Sequence, residues 1–237
     1  VQTCALPILD PLGRVDGLFQ LDARTARITP AGFEQYFSLA RSIASQVVNP
    51  SNRAALISCL PAAANAPDDA CAQVFLDEVG RLLYRRPLAS PELALSVQAA
   101  HDAAAERRDF YEGLSYALSG MMMTPKFLFV IDMTEPDPAH PGQQRLTAFA
   151  RASRLSYLLW NSTPDSMLLD AAAKGELDTV SGLEKQAERM MASPKFENGV
   201  RAFFTDFLDL QKFDTLEKDQ VIYPTFNVKA KIGRAHV

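Results

Sequence analysis

The stretch MMMTPKFLF, residues 121–129, has an echo in MMASPKFEN, residues 190–198. In both, a hydroxyl residue (Thr124 or Ser193) precedes a proline (Pro125 or Pro194), and a phenylalanine (Phe127 or Phe196) follows the hydroxyl by three positions. A hydroxyl at a helix start accepts from amides that have no intrahelical partner, and proline in the first turn removes no donor that is needed. The methionines then fall in the last turn of one helix, where flexible thioethers fill gaps, and the phenylalanine enters the core early in the next. The stretch predicts a helix break and restart; a cofactor-binding methionine box is the alternative, and core packing is the simpler reading. Thr163–Pro164 and Ser90–Pro91 follow the same grammar without methionine, so the joint recurs and the chain reads as short helices in succession.

Upstream, Phe33, Tyr36, Phe37, Ala40, Ile43, Ala44 and Val47 recur at steps of three and four behind Thr29 and Pro30, which predicts a helix ending by Pro50. Ala72, Phe75, Leu76, Val79, Leu82 and Leu83 repeat the pattern after Asp68 and Asp69, closed by Pro87. A third helix runs from Ser90 toward Arg108, and Asp109 with Glu112 forms a capping-box pattern ahead of Phe110, Leu114, Leu118 and Met121. Downstream, Thr147 caps a helix to Trp160, Thr163 and Pro164 start another that ends at Gly175, and Ser181 with Glu184 offers a further box. Phe196, Val200, Phe203, Phe204, Phe207 and Leu208 form a broad stripe expected to be buried in the core. Strand alternation is nearly absent, with Leu18–Ile28 the one place for a short extended piece. The expected fold is all-α: two bundle-like units of short antiparallel helices joined by a Pro-rich linker. That linker is DMTEPDPAHPGQQ, residues 132–144, with three prolines and a glycine.

Composition excludes several classes. With 48% hydrophobic and 22% charged residues, the 237-residue chain is neither disordered nor fibrous. Its formal charge is −4, with no basic run to follow a phosphate backbone, so nucleic acid is not an expected partner. The longest apolar run, Phe127 to Ile131, is far short of the roughly 20 residues a membrane-spanning helix needs. The two ends share a peculiarity. Back-translation of residues 232–237 allows ATCGGAAGAGCACACGTC, whose reverse complement encodes residues 3–8. Residues 1–8 and 231–237 therefore read as sequencing-adapter artefacts around an internal piece of a larger protein, and Cys4 and His236 are set aside.

RLSYLLWNSTPDSMLLDAAAKGEL, Arg154 to Leu177, resembles the signature of the planctomycete cytochrome c-associated domains of unknown function, the PSD series found beside PSCyt domains. CAQVFLDEVGRLLYRRPL, Cys71 to Leu88, is similar to the neighbouring domain of those proteins, and Thr124 to Phe129 fits its end. The resemblance implies the following organisation: residues 9–66 end an N-terminal helical domain, 67–132 form a helical domain ending in TPKFLF, 133–145 are linker, 146–216 form the domain bearing the RLSYLLWNSTPD signature, and 217–230 begin a truncated next domain. It also implies a large exported, periplasmic or extracellular bacterial chain. Its flanking domains would be the partners of this segment, and a c-type haem domain would lie elsewhere in the chain. No Cys-x-x-Cys-His occurs here, so no cofactor is expected in these residues. The motif residues it marks are Arg85, Arg86, Arg154, Trp160 and Asp165.

Cys59 and Cys71 flank the proline-interrupted loop LPAAANAPDDA. The spacing suits neither a zinc site nor a redox Cys-x-x-Cys, which leaves a disulfide, placing the chain in an oxidising compartment, or two buried thiols. Arg85 and Arg86 could hold an anion, but arginines at a helix end also complement its dipole. Arg154 and Asp165 could pair across the Trp160 turn and orient two helices. His101 has only neighbouring Asp102, which faces elsewhere, and His140 lies in the linker as a solvated side chain. No metal-ligand spacing, phosphate loop or nucleophile elbow is present. Two functions stay open: a structural or interaction module, or part of an oxidoreductase or hydrolase completed by other domains. The second expects a concave site lined by Arg154, Trp160 or Asp165.

Overall fold

A computed structural model describes residues 28–208, together with Leu210 and Ile222. The adapter-like ends, the expected extended piece before Ile28 and the segment 217–230, Ile222 apart, lie outside these residues. Within them the chain is helical. The helices are α1 (Pro30–Val48), α2 (Arg53–Leu56), α3 (Asp69–Tyr84), α4 (Ser90–Arg107), α5 (Phe110–Met122), α6 (Pro125–Leu128), α7 (Ala148–Trp160), α8 (Ser166–Ala173), α9 (Val180–Met191) and α10 (Phe196–Phe207).

The first unit packs α1, α3, α4 and α5 around Phe75, Leu76, Phe110, Leu114 and Leu118. Asp68 caps α3 by accepting from the Cys71 amide, and also accepts from Ala62 N–H, which ties down the loop before the helix. Asp109 caps α5 through the amides of Tyr111 and Glu112. α4 lies so close to α5 that a Cβ on Gly113 would stand 2.4 Å from the Ala100 carbonyl. The packed face of α1 differs from expectation. Gly32, Ala40, Ala44 and Val48 are buried, whereas Phe33 and Phe37 stay about half exposed. Small residues let α1 approach α5 closely, and the larger ones at the margins of the stripe fall outside that contact. α1, assigned by sequence to residues 9–66, thus contributes to the same core as α3 to α5.

The Pro-rich stretch is not structureless. Thr134–Pro136 (β1) and Gln144–Leu146 (β2) pair antiparallel, with Glu135 opposite Arg145 and their side chains joined at 2.8 Å. Pro136 sits at the end of its strand, where its missing N–H breaks no ladder, and Asp137 closes the turn by accepting from the Ala139 amide. His140, expected as merely solvated, bonds Asp137 at 2.9 Å.

The second unit packs α7, α8, α9 and α10 around Ala152, Trp160, Leu168, Leu177 and Met190. Three of its starts differ from the sequence reading. The cap of α8 is Asp165, not Thr163, and that of α9 is Thr179, two residues before Ser181. Ser193 accepts from the Lys195 amide at 3.3 Å, and α10 begins only at Phe196. Likewise α4 starts after Ala89, with Ser90 and Pro91 inside its first turn. Hydroxyl-proline pairs mark the breaks before α4, α8 and α10; Asp165 and Thr179 cap α8 and α9 through their side chains, whereas α4 and α10 start without a side-chain cap.

The aromatic stripe of α10 is a clearer departure. Phe203, Phe204 and Phe207 are 46%, 48% and 56% exposed. At Gly199, whose added Cβ would stand 2.1 Å from the Leu159 carbonyl, α10 meets α7 backbone to backbone, and this narrow contact does not cover the wide aromatic face. Phe203 and Phe207 instead stack on one another at 5.7 Å.

Candidate functional site

The opening stretch takes its place through Arg85. This residue ends α3 in the left-handed conformation, φ 59, and is 5% exposed. Its guanidinium donates to the carbonyls of Lys126 at 2.6 Å, Phe129 at 2.8 Å and Leu83 at 3.1 Å, with Phe127 at 3.5 Å. These bonds satisfy the carbonyls left open at the end of the one-turn helix α6 and offset the roughly 1–2 kcal/mol that left-handed backbone costs a non-glycine residue. The Arg-Arg-Pro-Leu ending and the TPKFLF turn are therefore two halves of one joint. Thr124 does not cap it; its hydroxyl donates back to the Met121 carbonyl.

Arg86 points the other way. It grips both carboxylate oxygens of Glu92 at 2.8 Å and donates to the Pro87 carbonyl. Glu92 also accepts from the Ala89 amide at the start of α4 and from Lys126. The Arg86 guanidinium, reinforced by Lys126 and the Ala89 amide against the opposing effect of burial, holds the Glu92 carboxyl far below the usual carboxylate range. The sequence-expected roles of the two arginines thus divide. Arg85 serves carbonyl groups at helix ends, and the anion that Arg86 holds belongs to the protein.

The remaining motif residues lie in the second unit. Trp160 is buried and donates from Nε1 to the Met190 carbonyl at 2.9 Å. Arg189 stacks over its ring at 5.6 Å and Lys195 at 4.9 Å. Asp165 caps α8 and accepts from both Nη atoms of Arg189 at 2.8 and 3.1 Å. Burial opposes its ionisation, but Arg189 and the Leu168 amide outweigh that and hold the carboxyl below its ordinary value. The pairing of Arg154 with Asp165 does not occur. Arg154 pairs with Asp132 at the base of the hairpin, which lowers the Asp132 pKa and raises its own. Asp165 faces α9, where Arg189 is within reach, while Arg154 lies on the exposed side of α7. His101, thought to lack a useful partner, reaches Asp69 on α3 at 2.8 Å.

Contacts also join the two units. Arg81 on α3 pairs with Asp170 on α8. Between the two units opens a cleft of about 330 Å³. Tyr84, Arg85, Arg86 and Lys126 form one wall; Ile131, Met133, Thr147, Phe149, Ala150 and Ser153 form the other. A second hollow of about 280 Å³ lies on the far side of Tyr84 and Lys126, bordered by Glu92, Leu95 and Tyr116. Neither is lined by Arg154, Trp160 or Asp165. Tyr84, Glu92, Lys126, Arg81 and Arg189 were missed by sequence reasoning. Only Glu92, at the third position of a helix start, carried a local signal. Among the described residues no group of three or more His, Cys, Asp or Glu side chains is placed to hold a metal ion, and no helix is long and apolar enough to cross a membrane. Cys59 and Cys71 form a disulfide.

Comparison with known families agrees with this architecture. Residues 71–132 match the PSD5 model, a protein of unknown function (DUF1595), and residues 146–234 match PSD4, a protein of unknown function (DUF1592). No curated protein and no solved structure matches the chain. The junction between the two matches is the hairpin, and the Arg85 joint and the cluster of Trp160, Arg189 and Asp165 lie one in each. The chain carries two domains of the PSD series of unknown function, one over residues 71–132 and one over residues 146–234.

Proposed function

We propose that the chain is a structural and interaction module of an exported bacterial protein, one that sets the relative placement of flanking domains of the same chain. A c-type haem domain outside these residues is the flanking partner this reading favours. The observation that carries it is the fate of the motif side chains. Arg85 caps carbonyls, Arg86 holds Glu92, Arg154 holds Asp132, Trp160 binds the Met190 carbonyl, and Asp165 caps α8 while holding Arg189. Each is committed to an architectural bond, as a module selected for shape requires. The competing reading, part of an oxidoreductase or hydrolase, expected Arg154, Trp160 or Asp165 around a concave site, and none of the three lines either cleft.

The disulfide supports the exported setting, since such bonds persist in oxidising compartments. The test is to produce the chain in the periplasm of a bacterial host and count alkylatable thiols at Cys59 and Cys71 without reductant. Protection of both supports export. Two free thiols in well-folded periplasmic protein would remove the argument.

A further inference from the structure

We infer that the cleft between the two units binds a small organic carboxylate with an apolar body. Its volume, about 330 Å³, falls at the lower end of small-molecule sites, which run from about 300 to 1,000 Å³. The far wall is mostly apolar, with Ile131, Met133, Phe149 and Ala150 beside Thr147 and Ser153, whose hydroxyls are bonded to the backbone of α7. The near wall is cationic. Arg85, Arg86 and Lys126 all line the cleft, while Glu92, the one carboxylate bonded to this group, lines the neighbouring hollow instead. Three positive charges thus face one cleft and share a single negative charge set behind them.

Donors also remain at the mouth. Lys126 gives one of its three N–H groups to Glu92 and its side chain is 46% exposed. None of the hydrogen bonds among the described residues uses the Tyr84 hydroxyl, and Arg86 bonds only through Nη1 and Nη2, leaving Nε–H. A carboxylate at this point meets Lys126 and Tyr84 directly and the Arg86 charge at short range, while its apolar body lies on Phe149 and Met133. A cation is repelled, and a neutral alcohol gains only the apolar contact. Asp132, on the hairpin stem, is neutralised by Arg154 and does not oppose the anion.

The experiment uses the full chain with three ten-carbon probes, decanoate, decanol and decylammonium, by isothermal titration calorimetry below their micelle concentrations. Decanoate is expected to bind one to one, about tenfold or more tighter than decanol, with decylammonium weaker still. Lys126→Met should weaken decanoate about tenfold and leave decanol unchanged. Met133→Trp, at a position 54% exposed and therefore tolerant of substitution, should fill the cleft and abolish both. Circular dichroism confirms that each variant is folded. Absence of decanoate binding at millimolar concentration overturns the inference. So does equal affinity for decanoate and decanol, or binding that survives Met133→Trp, which would place the probe on another surface.

Discussion

Arg189 donates to both carboxylate oxygens of Asp165 from 24 residues away while its guanidinium lies over the Trp160 ring. This ties the start of α8, the end of α7 and the last turn of α9 into one knot. Asp165→Asn keeps an acceptor for the Leu168 amide but loses the ion pair, and should lower stability by about 1–2 kcal/mol. Arg189→Met should cost at least as much, because it leaves a half-buried carboxylate unpaired. Urea unfolding of the two variants and of the double variant measures their coupling. Additive effects would show that the pair does not act as a unit.

Trp160→Phe keeps the buried ring but removes the indole N–H from the Met190 carbonyl, which retains the Ser193 amide at 3.2 Å. A loss of about 1 kcal/mol is expected by denaturant unfolding, with the helical circular dichroism signal unchanged.

The Cys59–Cys71 bridge closes a short loop that is also tied by the Ala62 amide donating to Asp68 and the Phe110 amide donating to the Ala64 carbonyl. Replacing both cysteines with alanine should lower stability by about 2–3 kcal/mol, chiefly by freeing the unfolded chain. Reduction of the natural protein should lower its melting temperature in the same direction, whereas the alanine variant should not respond to reductant.

Glu92 and Asp165 both have folded-state pKa values below their ordinary ones. The unfolded chain therefore takes up protons first as pH falls, so both contributions are complete above pH 4.5, the ordinary Glu value, and are lost progressively below it. Stability should be level from neutral pH down to about 5 and decline in acid. Glu92→Gln should flatten the acid limb and cost about 1 kcal/mol at neutral pH. Unfolding free energies measured from pH 3 to 7 check both.

Much of this was legible locally. The caps at Thr29, Asp68, Asp109 and Thr147 could be read because a cap needs only a side chain and an amide three residues apart. The cysteine spacing left a disulfide or two buried thiols, and the structure has the disulfide. What escaped was set by distance along the chain. Arg85 with Phe129, Arg81 with Asp170 and Asp165 with Arg189 are separated by 44, 89 and 24 residues, and nothing in a helical period points from one to the other. The exposed stripe of α10 escaped for another reason. Periodicity tells which residues share a face, and only the packing partner decides how much of that face is covered.

Whether the motif residues hold the fold together is read by scanning calorimetry of Arg85→Met, in which a buried guanidinium that binds the carbonyls of Lys126, Phe127, Phe129 and Leu83 is replaced by an uncharged side chain. Orphaning these carbonyls should cost about 2–4 kcal/mol and lower the melting temperature by several degrees, with faster amide exchange across residues 124–130. An unchanged melting temperature and unchanged exchange would mean that Arg85 serves something other than the joint it closes.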